Sequence, residues 1–248
     1  MNNNEAVQKL SKLTTARICL GHSGISIKTK ELLDFQLAHA MAKDAVYLEL
    51  DTDILQDLNL KTIQLQSKAK DRAMYLQRPD FGKALNDISV KKLEKYKSYD
   101  LAIVVADGLS SLAVHRNASN YIKTLIKNIP DYSLAPICIV NQGRVAIGDE
   151  IGELLDAKVV IVLIGERPGL SSPDSLGMYL TWGPKVGLTD ESRNCVSNIR
   201  EHGLSYEEAV KKTVYLLNES RRLKYSGVNL KERTSDKQIK SKQKFLSL

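Results

Sequence analysis

Three short runs constrain this chain more than anything else in it: LAIVVA (residues 101–106), PICIV (136–140) and KVVIVLI (158–164). Each is β-branched and apolar nearly throughout, with no polar alternation. Such runs suit strands covered on both faces, as in a parallel sheet. The intervening segments at 110–128 and 149–155 have helical length. Strand–helix–strand alternation predicts an α/β fold, a Rossmann-like parallel sheet flanked by helices. LGMYLTW (residues 176–182) is a fourth candidate strand. A capping box, Ser205 with Glu208, opens a last helix whose buried stripe is Val210, Val214 and Leu217.

Ahead of the sheet, residues 29–46 read as a helix. Thr29 is its candidate cap, and Leu33, Leu37, Ala40 and Met41 make one stripe. Residues 53–96 are helix-prone but broken by YLQRPDFGK (75–83), where Pro79 pushes Arg78 out of helical geometry and Gly82 permits a turn. The expected organisation is a mainly helical region at 1–96, a Rossmann-like domain at 97–230 and a basic, disordered tail at 231–248.

Charge bears on partners. The chain carries +7, and the tail, with six basic and two acidic residues, holds +4 of it. A nucleic-acid footprint should lie on a folded face, so no nucleic-acid partner is expected. The first residues lack an apolar signal core, and no apolar run approaches membrane-spanning length. The expectation is a cytoplasmic protein with no membrane partner. Cys19, Cys138 and Cys195 are far apart and odd in number, which predicts reduced thiols and no zinc site.

In an open parallel sheet, ligands bind beyond the carboxyl ends of the strands. The three runs lead into Asp107-Gly108-Leu109-Ser110, Asn141-Gln142-Gly143-Arg144-Val145 and Gly165-Glu166-Arg167-Pro168-Gly169, which should gather on one edge. No GxGxxG, P-loop or GxSxG motif is present. Ser110 is read as a helix cap and His39 as structural. Glu166, directly after a buried strand, can accept hydrogen bonds from a ligand or pair with an arginine and hold its loop. Cys195 is placed in a polar loop beyond the strands.

The segments ARICLGHSG (16–24), LLDFQLAHAMAKDAV (32–46), YLQRPDFGK, VADGLS, GRVAIGDEIGELLDAKVVIVLIGERPGLSSPDSLGMY (143–179) and NCVSNIR (194–200) resemble the small subunit of ethanolamine ammonia-lyase. They occur in the family's order across residues 13–230. The resemblance implies an adenosylcobalamin-dependent lyase that converts ethanolamine to acetaldehyde and ammonia through a radical. It implies a TIM-barrel large subunit with the catalytic residues, and a hetero-oligomer in which this chain closes over the cofactor. The family's cofactor contacts fall on Val145, Glu166 and Cys195, with no catalytic residue and no metal ligand in this chain. There is no DxHxxG motif, so the cofactor's own base is expected to ligate cobalt. About a dozen residues precede the matching region, shorter than the extension of microcompartment-packaged members. That leaves cytoplasm and bacterial microcompartment both open.

Two rival readings remain at this level. One is a stand-alone enzyme using Asp107, Glu166 or His115 for acid/base work. The other is a nucleotide- or nucleic-acid-binding module that depends on the tail.

Overall fold

The computed structural model describes residues 20–231, together with 7, 9, 10, 13 and 16–18. Cys19 and the tail beyond residue 231 lie outside the described residues. A small antiparallel pair, β1 (His22–Ser23) and β2 (Ser26–Ile27), leads into helix α1 (Thr29–Tyr47). Then come β3 (Thr62–Gln66), α2 (Arg72–Gln77), α3 (Asp87–Leu93), β4 (Tyr99–Ala106), α4 (Ser111–Lys127), β5 (Ile137–Asn141), α5 (Ile147–Leu154) and β6 (Ala157–Gly165). The remaining elements are β7 (Leu176–Trp182), β8 (Arg193–Ile199) and α6 (Tyr206–Leu223).

The main sheet has the order β3-β5-β4-β6-β7-β8. Its first four strands run parallel, and β7 and β8 are antiparallel additions. Alternate residues of a strand face opposite sides, so the central apolar runs feed two cores. Leu101, Ile103, Val105, Ile161 and Met178 pack with α4 and α6 residues such as Tyr121, Ile122 and Leu217. Ala102, Val104, Val160 and Val162 pack on the other side with Ile147 and Ile151 of α5 and Leu93 of α3. The doubly covered strands predicted from their continuous hydrophobicity are therefore present, flanked by helices.

Local signals behave as their chemistry requires. Ser110 caps α4, its side chain accepting from the Ala113 N–H at 3.1 Å. Ser205 caps α6, accepting from the Glu208 N–H at 3.3 Å. Arg78, before Pro79, sits outside helical space and closes α2.

Other expectations are corrected. Residues 62–66, within the segment read as helix-prone, form strand β3 beside β5, with alternation across TIQLQ and Leu65 buried. Thr29 is not the cap of α1. Lys28 holds that position and makes no side-chain cap bond. The stripe on α1 faces outward: Leu33, Leu37 and Met41 are exposed, and Ala45 is the buried residue of the helix. Cys195 lies in edge strand β8 rather than in a loop. Among the described residues no helix is long and apolar enough to cross a membrane.

Candidate functional site

Because β4, β5 and β6 are parallel neighbours, the loops that follow them end on the same edge. A buried carboxylate ties two of them together. Asp107 is 2% exposed and accepts the backbone N–H groups of Gly108, Gln142 and Gly143, each at 2.9 Å. The third loop joins through the Leu109 N–H, which donates to the Gly165 carbonyl at 3.0 Å. Gly108 has φ +58°, and a Cβ there would lie 2.3 Å from the Gly165 oxygen, so glycine is required twice over.

Burial pushes the Asp107 carboxyl up to about 6, against the opposing pull of Arg72 and the three N–H groups. Its contribution to stability is fully present below the ordinary carboxylate range and is lost as pH rises through about 6. The free-energy cost of Asp107→Asn should therefore shrink by roughly 3 kcal/mol between pH 4 and pH 7, at about 1.4 kcal/mol per unit. Urea unfolding of both proteins at several pH values checks this. A cost that grows with pH would mean that the N–H donors outweigh burial.

Val145 and Glu166 line one open cleft of about 450 Å³ with Leu109, Ile164, Arg167 and Tyr179. Arg144, Val145 and Tyr179 also line an adjoining cleft of about 910 Å³, which reaches Lys68, Lys83 and Thr189. The Glu166 carboxylate accepts from the Ser175 hydroxyl and, at 3.4 Å, from the Asn198 N–H. Those neutral donors, rather than an arginine, fix its direction.

The loop after Glu166 is pinned along its length. Ser110 Oγ donates to the Pro173 carbonyl at 2.7 Å, and Asn117 Nδ2 donates to the Asp174 carbonyl at 2.9 Å. Asp174 also pairs with Arg116 at 2.8 Å and Arg200 at 3.6 Å. Much of the GERPGLSSPDS run thus serves to hold Glu166 over the edge.

Cys195 comes to the same neighbourhood from the added hairpin. It pairs in register with Tyr179. Burial raises the thiol's pKa above its ordinary value, and the Glu166 charge pushes the same way. A protonated thiol suits a contact residue and not a nucleophile. Cys138 is buried in the sheet, its thiol pushed up to about 12.

Val145, Glu166 and Cys195, taken from three separate parts of the sequence, are therefore brought together, with Tyr179 between them. Sequence reasoning missed Tyr179, which has no motif of its own. The signal available was the two-residue period of LGMYLTW, which sets Tyr179 on the same face as its strand partner Val162. It also missed Arg193. This residue enters a buried, two-pronged pair with Asp149 of α5 at 2.6 and 2.8 Å and anchors β8 to the sheet's helical layer.

The rival acid/base groups are placed elsewhere or committed. His115 accepts the Asp51 N–H at 2.9 Å through Nε2, and burial lowers its pKa. Asp107 is occupied by backbone donors.

Comparison with known proteins identifies the family. The family model described as Ethanolamine ammonia-lyase light chain (EutC) matches residues 4–231. The ethanolamine ammonia-lyase small subunit of Xanthomonas campestris pv. campestris is 53% identical over 239 residues, covering 92% of this chain and 88% of the relative. That of Pseudomonas fluorescens is 51% identical over 244 residues, covering 94% and 89%. That of Pseudomonas aeruginosa is 52% identical over 234 residues, covering 90% and 86%. With a family model spanning nearly all of its length and relatives identical at every second position, this chain belongs to the ethanolamine ammonia-lyase small-subunit family.

Proposed function

We propose that this chain holds adenosylcobalamin against a catalytic large subunit in a two-subunit ethanolamine ammonia-lyase, and contributes no catalytic residue itself. The observation that carries the reading is that Val145 and Glu166 share one cleft with Tyr179, the strand partner of Cys195, in a member of this family. The clefts suit a large, amide-bearing ligand. Together they offer the apolar surface of Val145, Ile164 and Leu109, the acceptor oxygens of Glu166 and the cationic arms of Arg144 and Arg167.

Bound adenosylcobalamin supplies the radical chemistry through its cobalt–carbon bond. This chain's residues grip and orient. Val145 provides an apolar wall, and the Glu166 carboxylate, directed by Ser175 and Asn198, accepts N–H or O–H groups. The protonated Cys195 thiol gives a small polarizable contact. The outward apolar residues of α1 (Leu33, Leu37, Met41) favour a partner that covers them, and the proposed partner is the TIM-barrel large subunit in a hetero-oligomer. The proposed location is the cytoplasm or a bacterial microcompartment.

The test is ethanolamine deamination with adenosylcobalamin by this chain alone, by a large subunit alone, and by both together. Turnover is expected only in the mixture. Turnover by this chain alone, or none from a mixture seen to assemble, refutes the reading. In the mixture, Glu166→Ala should raise the KM for adenosylcobalamin about tenfold, the worth of a hydrogen bond to a charged acceptor. An unchanged KM would remove Glu166 from the site.

A further inference from the structure

α1 is thinly attached to the sheet. Ala45 is its buried residue, and Leu33, Leu37 and Met41 point outward at 57%, 62% and 45% exposure. One side chain links its carboxyl end to the edge that carries the candidate site. Arg72, the first residue of α2, donates from Nε to the Val46 carbonyl at 2.5 Å, in the last turn of α1. A cation there satisfies a carbonyl that the helix leaves open and complements its negative end.

From the same guanidinium, Nη1 donates to the Gly108 carbonyl at 2.8 Å and to Gln142 Oε1 at 3.2 Å, and lies 3.6 Å from Asp107. Gly108 and Gln142 belong to the loops after β4 and β5, which Asp107 locks together. Tyr75 continues the connection. Its ring lies 4.8 Å from the Arg72 guanidinium and 4.5 Å from that of Arg144, the residue before Val145. Arg144 Nη2 also donates to the Tyr75 carbonyl at 3.0 Å, and the Arg144 N–H donates to the Gly82 carbonyl at 2.8 Å. The YLQRPDFGK segment is thus more than a break between helices. It is the bed on which the Val145 loop rests.

We propose that Arg72 is a positioning residue that couples the seating of α1 to the shape of the cofactor cleft, so that covering the outer face of α1 sets the loop bearing Val145. The fork geometry explains why arginine serves here. A lysine ammonium cannot reach Val46 and Gly108 in two directions with a fixed angle between them. The cofactor half of this inference rests on the function proposed above, whereas the link from α1 to the loop stands on the geometry alone.

The experiment uses the full-length chain assembled with an ethanolamine ammonia-lyase large subunit. Arg72→Gln should assemble and keep kcat within about twofold at saturating adenosylcobalamin, while its KM for the cofactor rises about tenfold, as loss of binding without loss of transition-state contacts requires. Arg72→Lys should recover part of that loss, leaving the KM about threefold above the parent, because charge is kept and one direction is served. Should Arg72→Gln fail to fold, the Lys variant decides by the same split.

Hydrogen exchange on the cofactor-free complex is the second readout. Amides at 141–146 should exchange faster in either variant than in the parent, with α1 equally protected in all. A KM within twofold of the parent, a loss confined to kcat, or parental exchange at 141–146 overturns the coupling. A parent complex with no saturable response to adenosylcobalamin, together with the expected exchange difference, instead overturns the cofactor reading and leaves the coupling standing.

Discussion

Arg193→Met should lower the free energy of unfolding of this chain by about 3–5 kcal/mol, the cost of stranding a buried charge. The side chains of Arg193 and Asp149 are 2% and 3% exposed, with Nη1 donating to Oδ1 and Nη2 to Oδ2 of the carboxylate. Nη2 also donates to the Leu188 carbonyl at 3.0 Å. Removing the cation leaves the buried Asp149 carboxylate without its charge partner. Asp190, the other acid near Arg193, is 98% exposed and contributes little.

The companion prediction is that Asp149→Leu combined with Arg193→Met regains most of the loss, because a buried ion pair returns little more than the desolvation it incurs. Urea unfolding of the parent, the single variant and the double variant gives the comparison. A single-variant cost under about 1 kcal/mol would rule out an enclosed pair, since that is the range of exposed pairs. The effect reaches the site, because Arg193 opens the strand that places Cys195 beside Tyr179.

Gly165→Ala should be nearly as costly, about 3 kcal/mol, at the upper end for overpacking. A Cβ there would lie 2.0 Å from the Ser110 carbonyl oxygen and 2.6 Å from that of Asp107. Both obstacles are backbone, so no rotamer change can relieve them. The loops after β4 and β6 would have to part, breaking the Leu109–Gly165 hydrogen bond and moving Glu166 with its strand end. Gly169→Ala is the control. Its Cβ would meet the Ser172 hydroxyl at 2.9 Å, and that side chain can turn away, for a cost below about 1 kcal/mol. Equal costs for the two substitutions would contradict the close approach of the two loops. On the function proposed above, Gly165→Ala in the assembled enzyme should also weaken adenosylcobalamin binding.

How legible these features were depended on whether a residue's environment was written in its neighbours. The central strands announced themselves because burial on both faces leaves no polar positions, and β4 and β6 are apolar along nearly all their length. Strand β8 did not. RNCVSNI is mostly polar because an edge strand keeps one side toward solvent, while its arginine is buried by a partner 44 residues away. Strand β3 was hidden for a related reason. Five residues of alternating TIQLQ give too short a signal against helix-prone flanks. The stripe on α1 was read correctly as a helical face. The period of a stripe cannot tell whether this chain or a partner covers it.

The sequence by itself determined the α/β class, the caps at Ser110 and Ser205, the three loops at one edge and the family. All of these rest on local periodicity, turn chemistry or contiguous motifs. Only the tertiary structure decided that Glu166 is directed by Ser175 and Asn198, that Cys195 sits on a strand against Tyr179, and that Asp107 and Arg72 bind loops and helix together. Those outcomes turn on hydrogen bonds and charge pairs between residues far apart in the chain. Their strength comes from enclosure, and enclosure exists only once the sheet has brought the segments together.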